Sequence, residues 1–380
     1  MMSNEIRLSV RARAGGCIVS ADEFDLFEIS NSIPEAEHHS LAVFHIALCR
    51  TGNSAELQSF ALKLTGEDRN SLGYCFPVSA FGNAEAFDTR WAAVYGSAAF
   101  RFLTQAQMLR SVLSDDVLGL LRGQEVGIHD IYDDDLSVLV LGREALDRFE
   151  VSDSQIPLML AREGICVTDE DDDGSYPPIF KPWQPAVSVA RMSEEFRNEE
   201  ELFWRLIRMA ARSGWETGSF LILYQCLEYS IQRVFDWGMV NISPQGISTW
   251  DLKDRLSKLT NEKFRLNILN NHCFGGRVDA GILEALRGEC RAVLAALGDD
   301  VDAHTSWTGA LYALRNLVIH NQIRLMRRTD LSLKEVNIAL TRLCLEIIGS
   351  LAAPGEDGIW TNERMVPETA SEPSAYHSEP

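Results

Sequence analysis

An α+β amino-terminal domain followed by an all-helical bundle is the fold class this chain predicts, and three observations predict it. Residues 1–167 mix short strand-like runs with amphipathic helix, residues 168–193 turn abruptly acidic and proline-rich, and from residue 194 apolar residues recur almost wholly at helical spacing. At 380 residues the chain exceeds what one hydrophobic core usually serves, and a hydrophobic content of 46% is enough to fill two.

Taken in order, residues 6–10 and 17–19 flank a Gly15-Gly16 turn and read as a hairpin, and residues 41–48 and 60–64 read as further strands. Between about residues 84 and 113, Trp91, Val94, Tyr95, Ala98 and Phe102 recur at helical spacing, and Ser114 is placed to cap a second short helix through residue 121. Residues 136–141 read as a buried strand. In the linker, Asp169, Asp171 and Asp173 with Gly174 resemble the start of a calcium loop. Its twelfth position is Phe180, where a bidentate glutamate is required, so the run reads as a solvated acidic stretch.

Ser193 is placed to cap the first helix of the second half, expected over 194–212 with Phe196, Phe203, Leu206, Ile207 and Ala210 on one face. A strongly apolar helix over 216–237 reads as central. Helices over 249–260, 263–271, 279–297, 307–327 and 331–351 complete a bundle with short connections, and residues 353–380, rich in Glu, Ser and Pro, read as a disordered tail.

No amino-terminal signal and no run of about 18 apolar residues is present, so the expectation is a cytoplasmic protein without a membrane partner. The eight cysteines stand singly, without a pair at metal or redox spacing, and read as buried small hydrophobes. A net charge of −20 argues against broad phosphate binding, but the charge is uneven: residues 1–186 carry 14 Lys and Arg against 29 Asp and Glu, and residues 187–380 carry 21 against 26. From Arg315 through Arg324, Arg327 and Arg328 the chain is purely basic until Asp330, a strip able to meet RNA within an acidic whole.

The chemistry-bearing segment is Arg315-Asn316-Leu317-Val318-Ile319-His320. On a regular helix residues four apart share a face, while residues five apart are turned by about 140° and raised by about 7.5 Å. Asn316 and His320 therefore project together, and Arg315 must bend to join them. Arginine stays protonated and offers forked donors to phosphate, whereas histidine takes or gives a proton near neutrality. Together they suit attack by a ribose 2′-hydroxyl on its neighbouring phosphate. His320 acts as base on that hydroxyl or as acid to the leaving oxygen, Arg315 stabilises the phosphate charge, and Asn316 orients the histidine or holds a phosphate oxygen. The scheme calls for no metal and no cofactor.

This pattern resembles the signature of the HEPN superfamily, an arginine and a histidine with four to six residues between them, four here, and a polar residue often directly after the arginine. The resemblance covers residues 194–352 and says nothing of the first half. It implies a metal-independent endoribonuclease leaving cyclic or 3′-phosphate and 5′-hydroxyl ends, a supporting acid on an earlier apolar helix at Glu228, and an active groove at a two-fold homodimer interface. It also implies kinship with toxin and anti-phage effectors, in which a second domain or an antitoxin-like partner holds the nuclease in check, and the acidic front domain is then a candidate sensor. The competing readings are a non-catalytic HEPN-like scaffold acting with a partner chain, and a structural Arg315 paired to Glu228. Residues His38, His39 and His45 lack a metal-ligand pattern, Asp133, Asp134 and Asp135 read as a charged turn, Gly275-Gly276-Arg277 is not a phosphate loop, and Trp204, Trp215, Trp237 and Trp250 are spaced too irregularly for a base-stacking row and are expected mostly in the core.

Overall fold

Alternation with period two decides the amino-terminal architecture. The computed structural model describes residues 7–13, 16–21, 24–33, 40–51, 59–66, 71–168, 186–242, 248–274, 277–328, 330–354 and 359–360. Among them the strands are β1 (Leu8–Arg13), β2 (Gly16–Ala21), β3 (Phe24–Ser30), β4 (Phe44–Thr51), β5 (Phe60–Leu64), β6 (Ser71–Pro77), β7 (Glu125–Gly127), β8 (Leu136–Gly142), β9 (Ile165–Val167) and β10 (Ala186–Val189). They form a four-stranded sheet in the order β1-β2-β3-β7 and a six-stranded sheet in the order β10-β5-β6-β8-β4-β9. Pairing is antiparallel except for β3 with β7 and β10 with β5.

The central strand β8 is buried throughout, and successive side chains supply opposite faces. Val138 and Val140 join a core with Phe44 and Phe76, while Leu139 and Leu141 join a separate one with Cys49 and Cys75. The expected hairpin is β1 with β2, where Arg13 stands opposite Gly16. A Cβ on Gly16 would lie 2.0 Å from the Ile29 carbonyl oxygen, so only glycine lets β3 approach.

The helices of this half are α1 (Arg90–Leu103), α2 (Ala106–Val112), α3 (Asp115–Leu120), α4 (Arg143–Arg148) and α5 (Ile156–Arg162). The single helix expected over 84–113 is in fact three pieces: a 3-10 turn at Ala84–Phe87, then α1 and α2. The break falls at Thr104, whose hydroxyl donates to the Phe100 carbonyl at 2.9 Å and closes the turn. Ser114 caps α3 as expected, accepting from the Val117 amide.

The linker expectation is corrected at its carboxy-terminal end. Residues 186–189 form β10 at the edge of the six-stranded sheet, and the acidic run at 169–173 lies outside the described residues.

The carboxy-terminal region is helical: α6 (Glu200–Arg212), α7 (Glu216–Val240), α8 (Thr249–Thr260), α9 (Glu262–Ile268), α10 (Ala280–Ala296), α11 (Trp307–His320), α12 (Gln322–Met326) and α13 (Lys334–Ser350). Ser193 caps only a 3-10 turn at Glu194–Phe196, and α6 starts later, at Glu200. The helix expected over 331–351 begins at Lys334. Residues 353–380, expected as a disordered tail, return to the core in part: Ile359 is buried in the bundle and Trp360 packs beside it, stacked by the Arg255 guanidinium. No helix among the described residues is long and apolar enough to cross a membrane. All eight cysteines are buried, and burial pushes the Cys17 thiol up to about 11 and that of Cys273 up to about 12, which makes them inert.

The two halves share a helix that periodicity did not reveal. On α5, Ile156, Met159 and Leu160 face the six-stranded sheet, while Leu158 and Ala161 belong to the helical core. Arg162, at its end, pairs with Glu346 of α13 at 2.6 Å with both side chains largely covered. Leu158→Ala is expected to cost about 2–5 kcal/mol, and the sheet and helix signals in circular dichroism should fall together to a lower melting midpoint. A loss confined to one signal would show that the halves unfold separately.

Candidate active site

The candidate site is built on α11, whose start is anchored by asparagines from the preceding segment. Ser306 caps it, accepting from the Gly309 amide at 3.1 Å. Asn267 accepts from the Thr308 hydroxyl at 2.8 Å and Asn270 from the Trp307 indole at 2.7 Å. Asn270 reaches the indole from a π-helical turn, Leu269–Cys273, that continues α9. Phe274 then stacks on Trp307. Leu311, Leu314, Leu317 and Val318 bury the inner face, so the remaining side chains of the helix are aimed outward or sideways by the packing.

Arg315 lies on the flank, 19% exposed, between two carboxylates: Glu228 of α7 at 3.7 Å and Glu262 of α9 at 3.5 Å. Its guanidinium sits over the Tyr224 ring, 5.8 Å from the centroid. The Tyr224 hydroxyl donates to Glu262 at 2.6 Å, and burial with that bond keeps the phenol protonated far above its ordinary range. Arg315 Nη1 in turn donates to Asn316 Oδ1 at 3.2 Å. Its Nε is buried with no hydrogen-bond partner among the described residues. Of these partners Glu228 was an expected neighbour of Arg315, whereas Glu262 and Tyr224 carry no such signal in the sequence. They stand 53 and 91 positions from Arg315 and no local spacing joins them to it.

Asn316 and His320 share a face as helical geometry required. They line an open groove of about 490 Å³ with Tyr312, Ala313, Leu317, Asn321, Arg324 and Asp299. Arg315 does not line it and touches its wall only through Asn316. His320 is the last residue of α11 and exposed. The expected continuous helix 307–327 breaks at Asn321, whose backbone (φ −140°, ψ 36°) leaves the helical range, and α12 starts in a new direction. This turn carries Arg324 round to the groove.

The expected basic strip divides. The carboxy-terminal end of α10 closes with Gly298 at φ +79°, where the Gly298 amide meets the Ala295 carbonyl and the Asp299 amide the Leu294 carbonyl. The next two carbonyls, Ala296 and Leu297, are capped by Arg328 at 2.7 Å and Arg324 at 2.6 Å. Arg324 also pairs with Asp299 and Arg328 with Asp330. Arg327 and Arg328 are both exposed, and of the three arginines Arg327 alone forms no ion pair among the described residues.

Other acidic and histidine signals resolve as structure. Asp133 and Asp135 pair with Arg50, and His45 lies 3.4 Å from Asp153. His38, His39 and the Gly275-Gly276 turn lie outside the described residues. The expectation that the four tryptophans are mostly core is corrected for two of them: Trp204 and Trp237 pack against the helical core, whereas Trp215 and Trp250 are exposed. Among the described residues no cluster of three or more His, Cys, Asp or Glu is arranged to hold a metal ion. Compared with protein-family models, curated proteins and solved structures, the chain matches none.

Proposed function

We propose that the helical half is a metal-independent endoribonuclease domain of HEPN type, with His320 as its proton-transfer group. The observation that carries the reading is the groove on α11, which gathers an exposed imidazole and an amide on one helix face, with Arg315 hydrogen-bonded to that amide. Neutral His320 takes the proton of a ribose 2′-hydroxyl as its oxygen attacks the adjacent phosphorus. The bond from phosphorus to the 5′-oxygen breaks, and that oxygen leaves protonated by solvent or by the histidine of a second copy. The products are a 2′,3′-cyclic phosphate and a 5′-hydroxyl end. Arg315, held by Glu228 and Glu262, acts through Asn316 on the phosphate charge.

A second copy fits this reading, because Ile319 at the end of α11 and Ile323 and Met326 on α12 lie exposed and supply apolar surface for the two-fold interface the resemblance implies. The acidic front half, locked to the bundle through α5, suits a regulatory role in a defence or toxin effector, exerted by a partner or trigger transmitted through that contact.

One observation favours the scaffold reading instead: Arg315 has two acidic neighbours and little exposure, as a structural arginine has. Incubating the full chain with total RNA in EDTA, and identifying the product ends, separates the two. Cleavage to cyclic or 3′-phosphate ends, lost in Arg315→Ala and His320→Ala, is the result expected of the nuclease. An intact RNA pool at every protein concentration leaves the scaffold.

A further inference from the structure

We infer that the groove on α11 is a stacking subsite for one unpaired nucleotide of an RNA strand, with Tyr312 as the base platform and Arg324 as the phosphate contact. The ligand's identity rests on the ribonuclease reading above, while the geometry of the site does not.

Tyr312, Asn316 and His320 follow one another at intervals of four, so they form a single stripe about 12 Å long on the helix. Ala313 and Leu317 add apolar lining beside the stripe, and Arg324, four positions beyond His320, lines the groove together with its ion-pair partner Asp299. The volume of about 490 Å³ falls within the roughly 300–1,000 Å³ of small-ligand sites. A single aromatic face beside an amide and an imidazole is the chemistry that holds a splayed base and its ribose, whereas a paired base in an A-form helix offers no free face to stack. A base on Tyr312 leaves its 2′-hydroxyl and 3′-phosphate toward His320, the end where Arg324 stands.

The charge at that end is tempered. Nη2 of Arg324 is taken by the Leu297 carbonyl and by Asp299 at 3.0 Å, yet the side chain remains 40% exposed, so phosphate meets its other donors in competition with a carboxylate. Binding therefore rests on stacking more than on charge, which reconciles RNA recognition with a chain of net charge −20. With one or two phosphates engaged, the slope of log affinity against log salt is expected between about −0.7 and −1.4, far shallower than for a basic groove. Asp299→Asn frees Arg324 and is expected to tighten binding and steepen that slope.

The test is fluorescence anisotropy of a short single-stranded oligoribonucleotide carrying 2′-fluoro groups, which cannot be cut, against a duplex of the same sequence. The full chain is compared with Tyr312→Phe, which keeps the ring, and with Tyr312→Leu, which keeps the apolar packing without it. The expected result is binding of the single strand over the duplex, retained in Tyr312→Phe and weakened about 5- to 150-fold in Tyr312→Leu. Equal binding of single strand and duplex, no binding, or Tyr312→Leu binding like wild type overturns the subsite. Ring-dependent binding without cleavage of unmodified RNA sinks the ribonuclease reading and leaves the subsite standing. Cleavage unaffected by Tyr312→Leu, with no loss of binding, does the reverse.

Discussion

His320→Ala is expected to lower metal-free RNA cleavage by about 10²- to 10⁴-fold while leaving the melting temperature unchanged. The magnitude is that of removing a positioned proton-transfer group. The unchanged stability follows from position: His320 is exposed at the last turn of α11 and forms no ion pair among the described residues, so truncation uncovers no core and orphans no partner. His320→Gln keeps the hydrogen-bonding capacity without the titrating ring, and its activity should fall as far as that of the alanine variant. Activity within a few-fold of wild type in both variants would remove His320 from the chemistry.

Arg315→Ala should lose both activity and stability, and separating the two losses decides what the residue is for. Removing the guanidinium leaves Glu228 and Glu262 facing each other without a cation and uncovers the Tyr224 ring. Because Glu228 is nearly half exposed, the cost is discounted for solvent to about 1–3 kcal/mol. Pairing the change with Glu262→Gln relieves the carboxylate repulsion and still offers the Tyr224 hydroxyl an acceptor. Comparing the double variant with each single one measures the coupling. In the double variant the melting temperature is expected to recover while cleavage stays absent. Cleavage that returns along with stability would make Arg315 a structural residue.

Legibility differed from element to element for identifiable reasons. Helix α8 was readable to the residue, because Ser248 caps it and Asn261 starts the next helix, so both boundary signals are local. The run of β8 was equally plain, since a strand buried on both faces is continuously apolar. Strands β3 and β6 carry weaker signals: β3 interleaves Asp25 and Glu28 with its apolar residues, and β6 carries Gly73. Helix α5 is only seven residues long and apolar on two sides, because it serves two cores at once, and so short an apolar run has no readable period. Ile359, isolated in a polar tail, gave no sign that it packs into the bundle.

At the candidate site, the common face of Asn316 and His320 was inherent in their spacing, because four residues along a helix is a local rule that holds wherever the helix forms. The surroundings of that face were not. Whether Arg315 turns toward the groove or toward Glu228 and Glu262, and whether Arg324 and Arg328 meet RNA or cap the carbonyls of α10, depends on which distant helix ends lie within hydrogen-bonding reach. Long cationic side chains are flexible enough to serve either partner, so spacing along the chain leaves their choice open. Packing of α7, α9 and α10 around α11 makes it, by bringing unsatisfied carbonyls and carboxylates to arginines that chain position alone would have left facing solvent.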